Sequence, residues 1–128
     1  MRYLLDTHAL MWWWLTDPKL SAPVRNLLSD RANHVFVSAV TGYEIANKVR
    51  LEKLPMMREP LAVYDFALAQ DGFAPLTLDP HHARHAGLLE GDHRDPFDRM
   101  IAAQALVEDL TVITRDPAIA AFGCKVLW

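Results

Sequence analysis

The sequence DPFDRMIAAQA (residues 95–105), followed by TVITRD (residues 111–116), predicts a helix that leads into a buried strand. Asp95 can cap the helix, Pro96 fits its first turn, and Asp98 stands where the acid of a capping box would. The helix has its apolar residues on one face, and the strand is rich in β-branched residues. Acids at the start of such a helix and at the end of such a strand are either caps or ligands.

Composition indicates one domain spanning residues 1–128. With 52% hydrophobic and 23% charged residues, a chain of 128 residues can form a core without disulfides or structural metal. The single cysteine, Cys124, excludes a disulfide framework and a paired-cysteine zinc site, and it fits a reducing, cytoplasmic compartment. The longest clean apolar run, residues 9–15, is too short to span a bilayer, so we expect no membrane partner.

The net charge of −3 excludes no class of partner. Taken alone, it argues against binding to nucleic acid. If four of the acids held a metal ion, however, the remaining charges would nearly balance.

Apolar, β-branched segments alternate with amphipathic ones, which predicts strands alternating with helices. The expected strands are residues 2–6, 34–37, 73–78, 111–114 and 125–127. The expected helices are residues 8–15, 39–54, 60–70 and 80 to about 91, with others starting near 21 and 95. Because no hairpin signal separates the strands, we predict an α/β fold, a three-layer α/β/α single domain with a mainly parallel central sheet.

Three consecutive tryptophans, residues 12–14, lie in the first predicted helix. At helical pitch they sweep about 200° of the helix surface. They cannot all face one core, so we expect at least one to be exposed or at an interface, where tryptophan is favoured.

Four acids fall at one edge of the predicted sheet. Asp6 follows the first strand, Glu44 lies early in the helix after the second, Asp98 begins the helix before the fourth, and Asp116 follows the fourth. In an open parallel sheet, ligands bind beyond the carboxyl ends of the strands. Two carboxylates about 4 Å apart repel by ~4 kcal/mol at an effective dielectric of about 20, so four together need shared protons or a cation. All-oxygen ligands favour Mg²⁺ or Mn²⁺, whose common work is phosphoryl chemistry.

Each acid taken alone also has an ordinary structural explanation. Asp98 suits a capping box, Asp6 suits a helix cap, and Asp116 suits a turn. Glu44 can pair with Lys48 in the favourable i,i+4 order. Four acids at one edge are much harder to attribute to chance than any one of them.

Four segments carry a wider resemblance, in order and at matching spacings. They are LLDTHAL (4–10) with tryptophans at 12 and 13, YEIA (43–46) with Lys48, DPFDR (95–99) with IA (101–102) and QA (104–105), and TRD (114–116). Together they resemble a PIN-domain nuclease of the VapC toxin type. The resemblance implies a PIN-like nuclease domain, with Mg²⁺- or Mn²⁺-dependent endoribonuclease activity on RNA. It also implies the toxin role in a type II toxin–antitoxin pair, with a cognate VapB-like antitoxin and a homodimer.

By the same resemblance, the catalytic acids are Asp6, Glu44, Asp98 and Asp116. Asp6, Asp98 and Asp116 would hold the metal, and Glu44 would help to hold metal or water. We prefer Asp98 to Asp95 because the family's acid immediately precedes an Ile-Ala helix; Asp95 is then a supporting residue and the helix cap.

The expected mechanism is phosphodiester hydrolysis, in which one or two metal ions activate water for attack on phosphorus. Thr7 and Thr114 would tune the site by hydrogen bonding. Arg99, Arg115 and Lys48 are candidates for binding RNA phosphates.

Two other functions compete with this interpretation. A receiver-like Mg²⁺-binding signalling domain has a similar size and sheet, but it expects an acidic pair at the first strand and a lysine after the last. A non-catalytic PIN module would act only in partner binding. The presence of all four acids speaks against the second alternative.

Overall fold

Five short strands form the sheet at the centre of the computed structural model, which describes residues 1–128. They are β1 (Arg2–Leu5), β2 (His34–Ser38), β3 (Ala74–Leu76), β4 (Thr111–Ile113) and β5 (Val126–Leu127). Every adjacent pair is parallel, and the order is β3-β2-β1-β4-β5. The strand that comes first in the sequence is therefore the central one.

Eight α-helices flank the sheet. They are α1 (Thr7–Trp14), α2 (Ala22–Ser29), α3 (Ala39–Arg50), α4 (Arg58–Ala62), α5 (Tyr64–Asp71), α6 (Pro80–Leu88), α7 (Pro96–Glu108) and α8 (Pro117–Ala121), with a 3₁₀ turn at Pro55–Met57. None of these helices has both the length and the apolarity needed to cross a membrane. The three-layer α/β/α prediction is confirmed, and the sheet is entirely parallel.

Buried side chains form a separate core on each face of the sheet. Successive residues of β1 point to opposite faces, so Tyr3 and Leu5 join one core and Leu4 joins the other. The first core, with 15 buried residues, packs under α1 and α2, and the second, with eight, packs under α7. Both faces are covered, as a parallel sheet requires.

Several predicted boundaries are wrong, for identifiable local reasons. The third strand is limited to Ala74–Leu76 because it is an edge strand that contains Pro75, which has no N–H for the ladder. The predicted helix 39–54 ends at Arg50, and Glu52 then adopts a left-handed backbone with φ 59°. The helix expected to run to about residue 91 ends at Leu88.

The predicted helix 60–70 is two helices separated at Val63, whose backbone leaves the helical region. The break lets Tyr64 pack edge-on against Trp14, with ring centroids 5.4 Å apart. It also brings the Tyr64 hydroxyl against Gly42 of α3, where a Cβ would lie 3.5 Å from that oxygen. A Cβ at that distance would make an ordinary van der Waals contact, so the packing of Tyr64 does not by itself require glycine at position 42.

The three tryptophans are all partly buried, so none of them is fully exposed, and the expected interface stays a prediction. The indole Nε1 atoms of Trp13 and Trp14 both donate to Oδ2 of Asp71, at 3.1 and 2.8 Å. Trp12 meets Trp128 edge-on, with ring centroids 5.7 Å apart. Helix α1 has packing partners on two sides in addition to the sheet, which allows a wide arc of its surface to be covered.

A candidate acidic metal centre

Asp6 lies directly beyond the carboxyl end of β1, and its side chain caps α1. Its Oδ1 accepts a hydrogen bond from the Ala9 N–H at 2.7 Å, and the residue is only 9% exposed. Burial raises the pKa of Asp6, and the charge of Asp98 raises it further. The Thr114 side chain, the Ala9 N–H and His8 act in the opposite direction on this pKa. The charged form of Asp6 is thus disfavoured unless a further positive charge approaches.

Asp98 stands in the first turn of α7, where Asp95 is the cap. The Asp95 Oδ1 accepts from the N–H groups of Phe97 and Asp98, at 2.9 and 3.4 Å, which confirms Asp95 as the helix cap. The Asp98 side chain turns instead to His93, with Oδ2 2.8 Å from Nε2. Asp98 therefore does not form a capping box with Asp95.

Asp98 shares the electrostatic situation of Asp6. Burial raises the pKa of Asp98, and the neighbouring charges of Asp95 and Asp116 raise it further, whereas the hydrogen bond from His93 lowers it. The same hydrogen bond raises the pKa of His93. Asp98 and each of Asp6, Asp95 and Asp116 repel one another, so Asp98 lies within electrostatic reach of all three carboxylates.

Asp116 follows β4 and caps α8, a helix that stands where the sequence predicts a turn. Its Oδ1 accepts from the Ala118 N–H at 2.9 Å, and its own N–H donates to the Thr114 Oγ1 at 3.0 Å. Helix α8 has five residues, too few for a hydrophobic period to reveal it. A pocket of about 360 Å³ opens between the ends of β1 and β4, lined by Asp6, His8, Trp12, Arg115, Asp116 and Pro117.

Glu44 lies on α3 and is buried, with 4% exposure. Its Oε1 accepts from the Thr7 hydroxyl at 2.8 Å, and its Oε2 lies 2.5 Å from the Lys48 Nζ. The Thr7 hydroxyl also lies 3.2 Å from that of Thr41. Glu44 is thus linked to the residue next to Asp6, and Lys48 compensates its charge. Asp98 interacts electrostatically with Asp6 and with Asp116, and the latter two line one pocket, but the structure does not show Glu44 among these three aspartates.

His93 belongs to this site, although it is not among the predicted site residues. Ligand atoms of His93, Asp95 and Asp98 all lie within 4.8 Å of one another. His93 stands in the loop before α7, at a spacing from Asp98 that matches neither a helix nor a strand, so periodicity gives no signal for it. Asp95, the supporting residue of the prediction, is both the cap of α7 and a member of this group.

Besides Lys48, which pairs with Glu44, the two arginines predicted to bind phosphate have different surroundings. The Arg99 guanidinium donates to the carbonyls of Ala86 at 3.1 Å, of His93 at 3.0 Å and of Leu89. Arg99 therefore holds the loop between α6 and α7 together. Arg115 is exposed and stacks over Trp12, 4.6 Å from the ring centroid, at the wall of the pocket beside Asp6 and Asp116.

The arrangement suits a hard divalent cation. The donors are mainly carboxylate oxygens, and two of the carboxylates are held in surroundings that disfavour their charged form. Asp6, Asp95 and Asp116 each use Oδ1 for capping, so capping and ion binding do not compete for the same oxygen. The capping and ligand explanations are therefore compatible.

The sequence matches the family model of the PIN domain over residues 3–123. No individually curated protein matches it significantly. The fold is similar to that of Rickettsia felis VapBC2 bound to a promoter DNA fragment, with a TM-score of 0.69, 16% identity and coverage of 99% of this chain and 98% of that chain. It is similar to FitAcB from Neisseria gonorrhoeae, with a TM-score of 0.69, 25% identity and coverage of 98% and 96%. It is also similar to a toxin–antitoxin complex from Klebsiella pneumoniae, with a TM-score of 0.63, 18% identity and coverage of 98% and 96%.

Proposed function

Because this chain belongs to the PIN-domain family, we propose that it is a metal-dependent endoribonuclease of the VapC toxin type, which hydrolyses phosphodiester bonds of RNA. The observation that carries the proposal is the convergence of Asp6, Asp98 and Asp116 at the carboxyl-end edge of the sheet. Folding brings these like charges together at a cost in free energy, which a bound cation would offset.

The proposed cofactor is Mg²⁺ or Mn²⁺, held by Asp6, Asp98 and Asp116, with His93 and Asp95 beside them. When bound, such an ion lowers the pKa of water and stabilises charge that develops on a phosphate. The chain's own residues fix the ligands. Asp6 is held by the Ala9 N–H, and Asp98 by His93.

Supporting side chains have distinct proposed roles. Thr7 orients Glu44, whose second oxygen is held by Lys48, so this group supports the centre next to Asp6. Thr114 accepts from the N–H of Asp116 and so positions the loop that carries that acid. Outer partners of this kind fix ligand orientation, and their loss typically costs 10–100-fold in activity or affinity.

Arg115 is our strongest candidate for binding an RNA phosphate. It is exposed, it lies at the pocket beside two of the acids, and its stacking on Trp12 leaves its N–H groups available. Lys48 is a second candidate, although Glu44 already engages it. For Arg99, three carbonyl acceptors favour a structural role.

We also propose that the chain, as a single nuclease domain over 1–128, pairs with a cognate VapB-like antitoxin, forms a homodimer and acts in the cytoplasm. Similar folds in complexes described as VapBC, FitAcB and toxin–antitoxin support the antitoxin partner. The receiver-like alternative is disfavoured, because its sheet order is 2-1-3-4-5 whereas this sheet runs 3-2-1-4-5. No specific observation favours a non-catalytic module.

The test is cleavage of a fluorescent single-stranded RNA by the purified chain, in Mg²⁺ or Mn²⁺ and in EDTA. We expect cleavage only with metal, and a loss of at least about 100-fold in Asp6→Asn and in Asp98→Asn, since outer-shell changes alone cost 10–100-fold. The matched control is Asp65→Asn, which changes an exposed acid on α5.

Circular dichroism must show that each variant is folded. Undiminished cleavage by a folded Asp6→Asn or Asp98→Asn would contradict the site. A wild-type chain that binds RNA without cutting it would indicate the non-catalytic alternative.

A further inference from the structure

An apolar pocket of about 290 Å³ opens at the same edge of the sheet as the acidic centre. Its lining is wholly hydrophobic and consists of Ala39, Val40, Tyr43, Leu78, Phe97 and Met100. These residues come from the beginning of α3, the beginning of α7 and the segment just after β3. We refer to them as the aromatic pocket.

Two residues of the aromatic pocket are adjacent in the sequence to proposed site acids. Tyr43 precedes Glu44, and Phe97 precedes Asp98. The two rings lie with their centroids 5.7 Å apart and their planes inclined at 45°. Tyr43 is 63% exposed, so its ring is presented to solvent rather than used in a core. An exposed aromatic ring at the rim of an apolar pocket is typical of a binding site.

We propose that the aromatic pocket binds one nucleobase of the RNA, beside the phosphate that is cleaved. This inference rests on the proposed ribonuclease function and adds a base-binding subsite to it. An RNA base presents a flat π-face that stacks on tyrosine and phenylalanine, and this stacking needs no particular hydrogen-bond pattern. The pocket offers no charged group, so a phosphate or a metal ion is not its occupant.

The two sides of the acidic centre differ in a way that suits a nucleotide. On the side of Asp6 and Asp116, the lining includes Arg115 and His8, which can attract the phosphate backbone. The residues that precede Glu44 and Asp98 in the sequence, Tyr43 and Phe97, line the aromatic pocket instead. A strand lying across the centre would therefore have its charged backbone near the cations and one base in the aromatic pocket.

The size of the aromatic pocket also favours a base over a protein segment. At about 290 Å³ it lies at the lower limit of the roughly 300–1,000 Å³ that small-molecule sites occupy. A docked helix requires a groove that receives several anchors along its length. Because its lining has almost no hydrogen-bonding groups, we expect the subsite to bind a base with little preference among the four bases.

The test uses an abasic scan, in which each position of a short labelled RNA in turn lacks its base. Affinity is measured by fluorescence anisotropy in the Asp6→Asn background, where cleavage is suppressed. We expect one position at which loss of the base weakens binding about 10-fold, the equivalent of one stacked base.

Tyr43→Ala, added to that background, should weaken binding of the intact RNA by a similar factor. It should also remove the sensitivity to the abasic position, because both changes delete the same contact. Tyr43→Phe should retain both the affinity and the sensitivity. Leu88→Ala, at an apolar residue that is 82% exposed elsewhere, is the matched control and should change neither.

A flat abasic scan, or equal effects of Tyr43→Ala on every RNA of the scan, would overturn the inference. Sedimentation of the same variants identifies the rival occupant: if Tyr43→Ala converts a dimer to a monomer and the scan is flat, the pocket is a contact between copies of the chain. The metal-dependent cleavage assay tests the nuclease separately, so a failure of one proposal is distinguishable from a failure of the other.

Discussion

Asp98 carries a charge that the folded chain disfavours when no cation is bound. A raised pKa means that the folded state favours the protonated carboxyl more than the unfolded state does, so the ionised group at neutral pH reduces stability. We therefore expect Asp98→Asn to melt a few degrees above the wild type in EDTA. Mn²⁺ should raise the melting temperature of the wild type, because ligands stabilise the state that they bind, but not that of the variant.

Differential scanning fluorimetry with and without Mn²⁺ measures both effects of Asp98→Asn. The control is again Asp65→Asn, which should behave like the wild type in both conditions. An Asp98→Asn variant that is less stable in EDTA and still gains stability from Mn²⁺ would show that the ion binds elsewhere.

Cys124 should be nearly inert in the folded chain. Burial raises the pKa of its thiol to about 11, and its Sγ lies 3.6 Å from the Ala102 carbonyl oxygen. At pH 8 the thiolate is then only about a thousandth of the population, so iodoacetamide should react roughly 100-fold more slowly than with the urea-unfolded chain. The rate should rise about tenfold per pH unit up to pH 11, as followed by mass spectrometry. A rate that levels off near pH 9 would contradict the raised pKa.

At the residue scale, the sequence predicts those site groups whose positions follow from strand ends and helix starts. Asp6, Asp98 and Asp116 lie where such elements meet, and the structure brings them together, although their catalytic role stays a prediction. The hydrogen bonds of His93 and Arg99 are not predicted in this way. His93 reaches Asp98 from an irregular loop, and the acceptors of Arg99 are backbone carbonyls, which no residue pattern reveals.

Helices α1 and α5 are joined by one carboxylate that accepts two indole hydrogen bonds. Oδ2 of Asp71 receives the Nε1–H groups of Trp13 and Trp14 in a partly buried position. Asp71→Ala would leave both donors without this partner, and we expect a loss of about 2 kcal/mol in the free energy of unfolding. Urea denaturation followed by far-ultraviolet circular dichroism measures the loss.

The control for Asp71→Ala is Asp65→Ala on the same helix, which should cost no more than a few tenths of that amount as an exposed first-turn acid. Equal stability losses in the two variants would mean that the indole contacts contribute nothing. The partial burial of Trp13 and Trp14 is therefore explained by a hydrogen-bond acceptor on a helix distant in the sequence, which the spacing of the tryptophans cannot show.

At the scale of elements, capped helices are predictable and broken or very short ones are not. Asp95 accepts from the first turn of α7, as the sequence indicates, and Ser21 accepts from the first turn of α2, a helix predicted to start near residue 21. The break at Val63 and the helix α8 depend on tertiary contacts or on too few residues for a pattern. Tertiary packing decides such segments more than local propensity does.

At the scale of the whole molecule, the two cores provide independent reporters of unfolding. All four tryptophans pack against the core on one face of the sheet, and Cys124 packs against the core on the other. If residues 1–128 form a single domain, tryptophan fluorescence, circular dichroism and exposure of the thiol should show one coincident urea transition. Separate midpoints for fluorescence and thiol exposure would mean that the two faces unfold independently.

The central position of β1 has a consequence for the synthesis of the protein. Asp6 leaves the ribosome well before Asp116, and at 5–20 residues per second the interval is on the order of ten seconds. During that interval β4, which pairs with β1 and leads to Asp116, has not been made. The growing chain therefore has no complete acidic centre until almost all of these residues have emerged, and under the proposed function the messenger being translated would meet no finished nuclease before then.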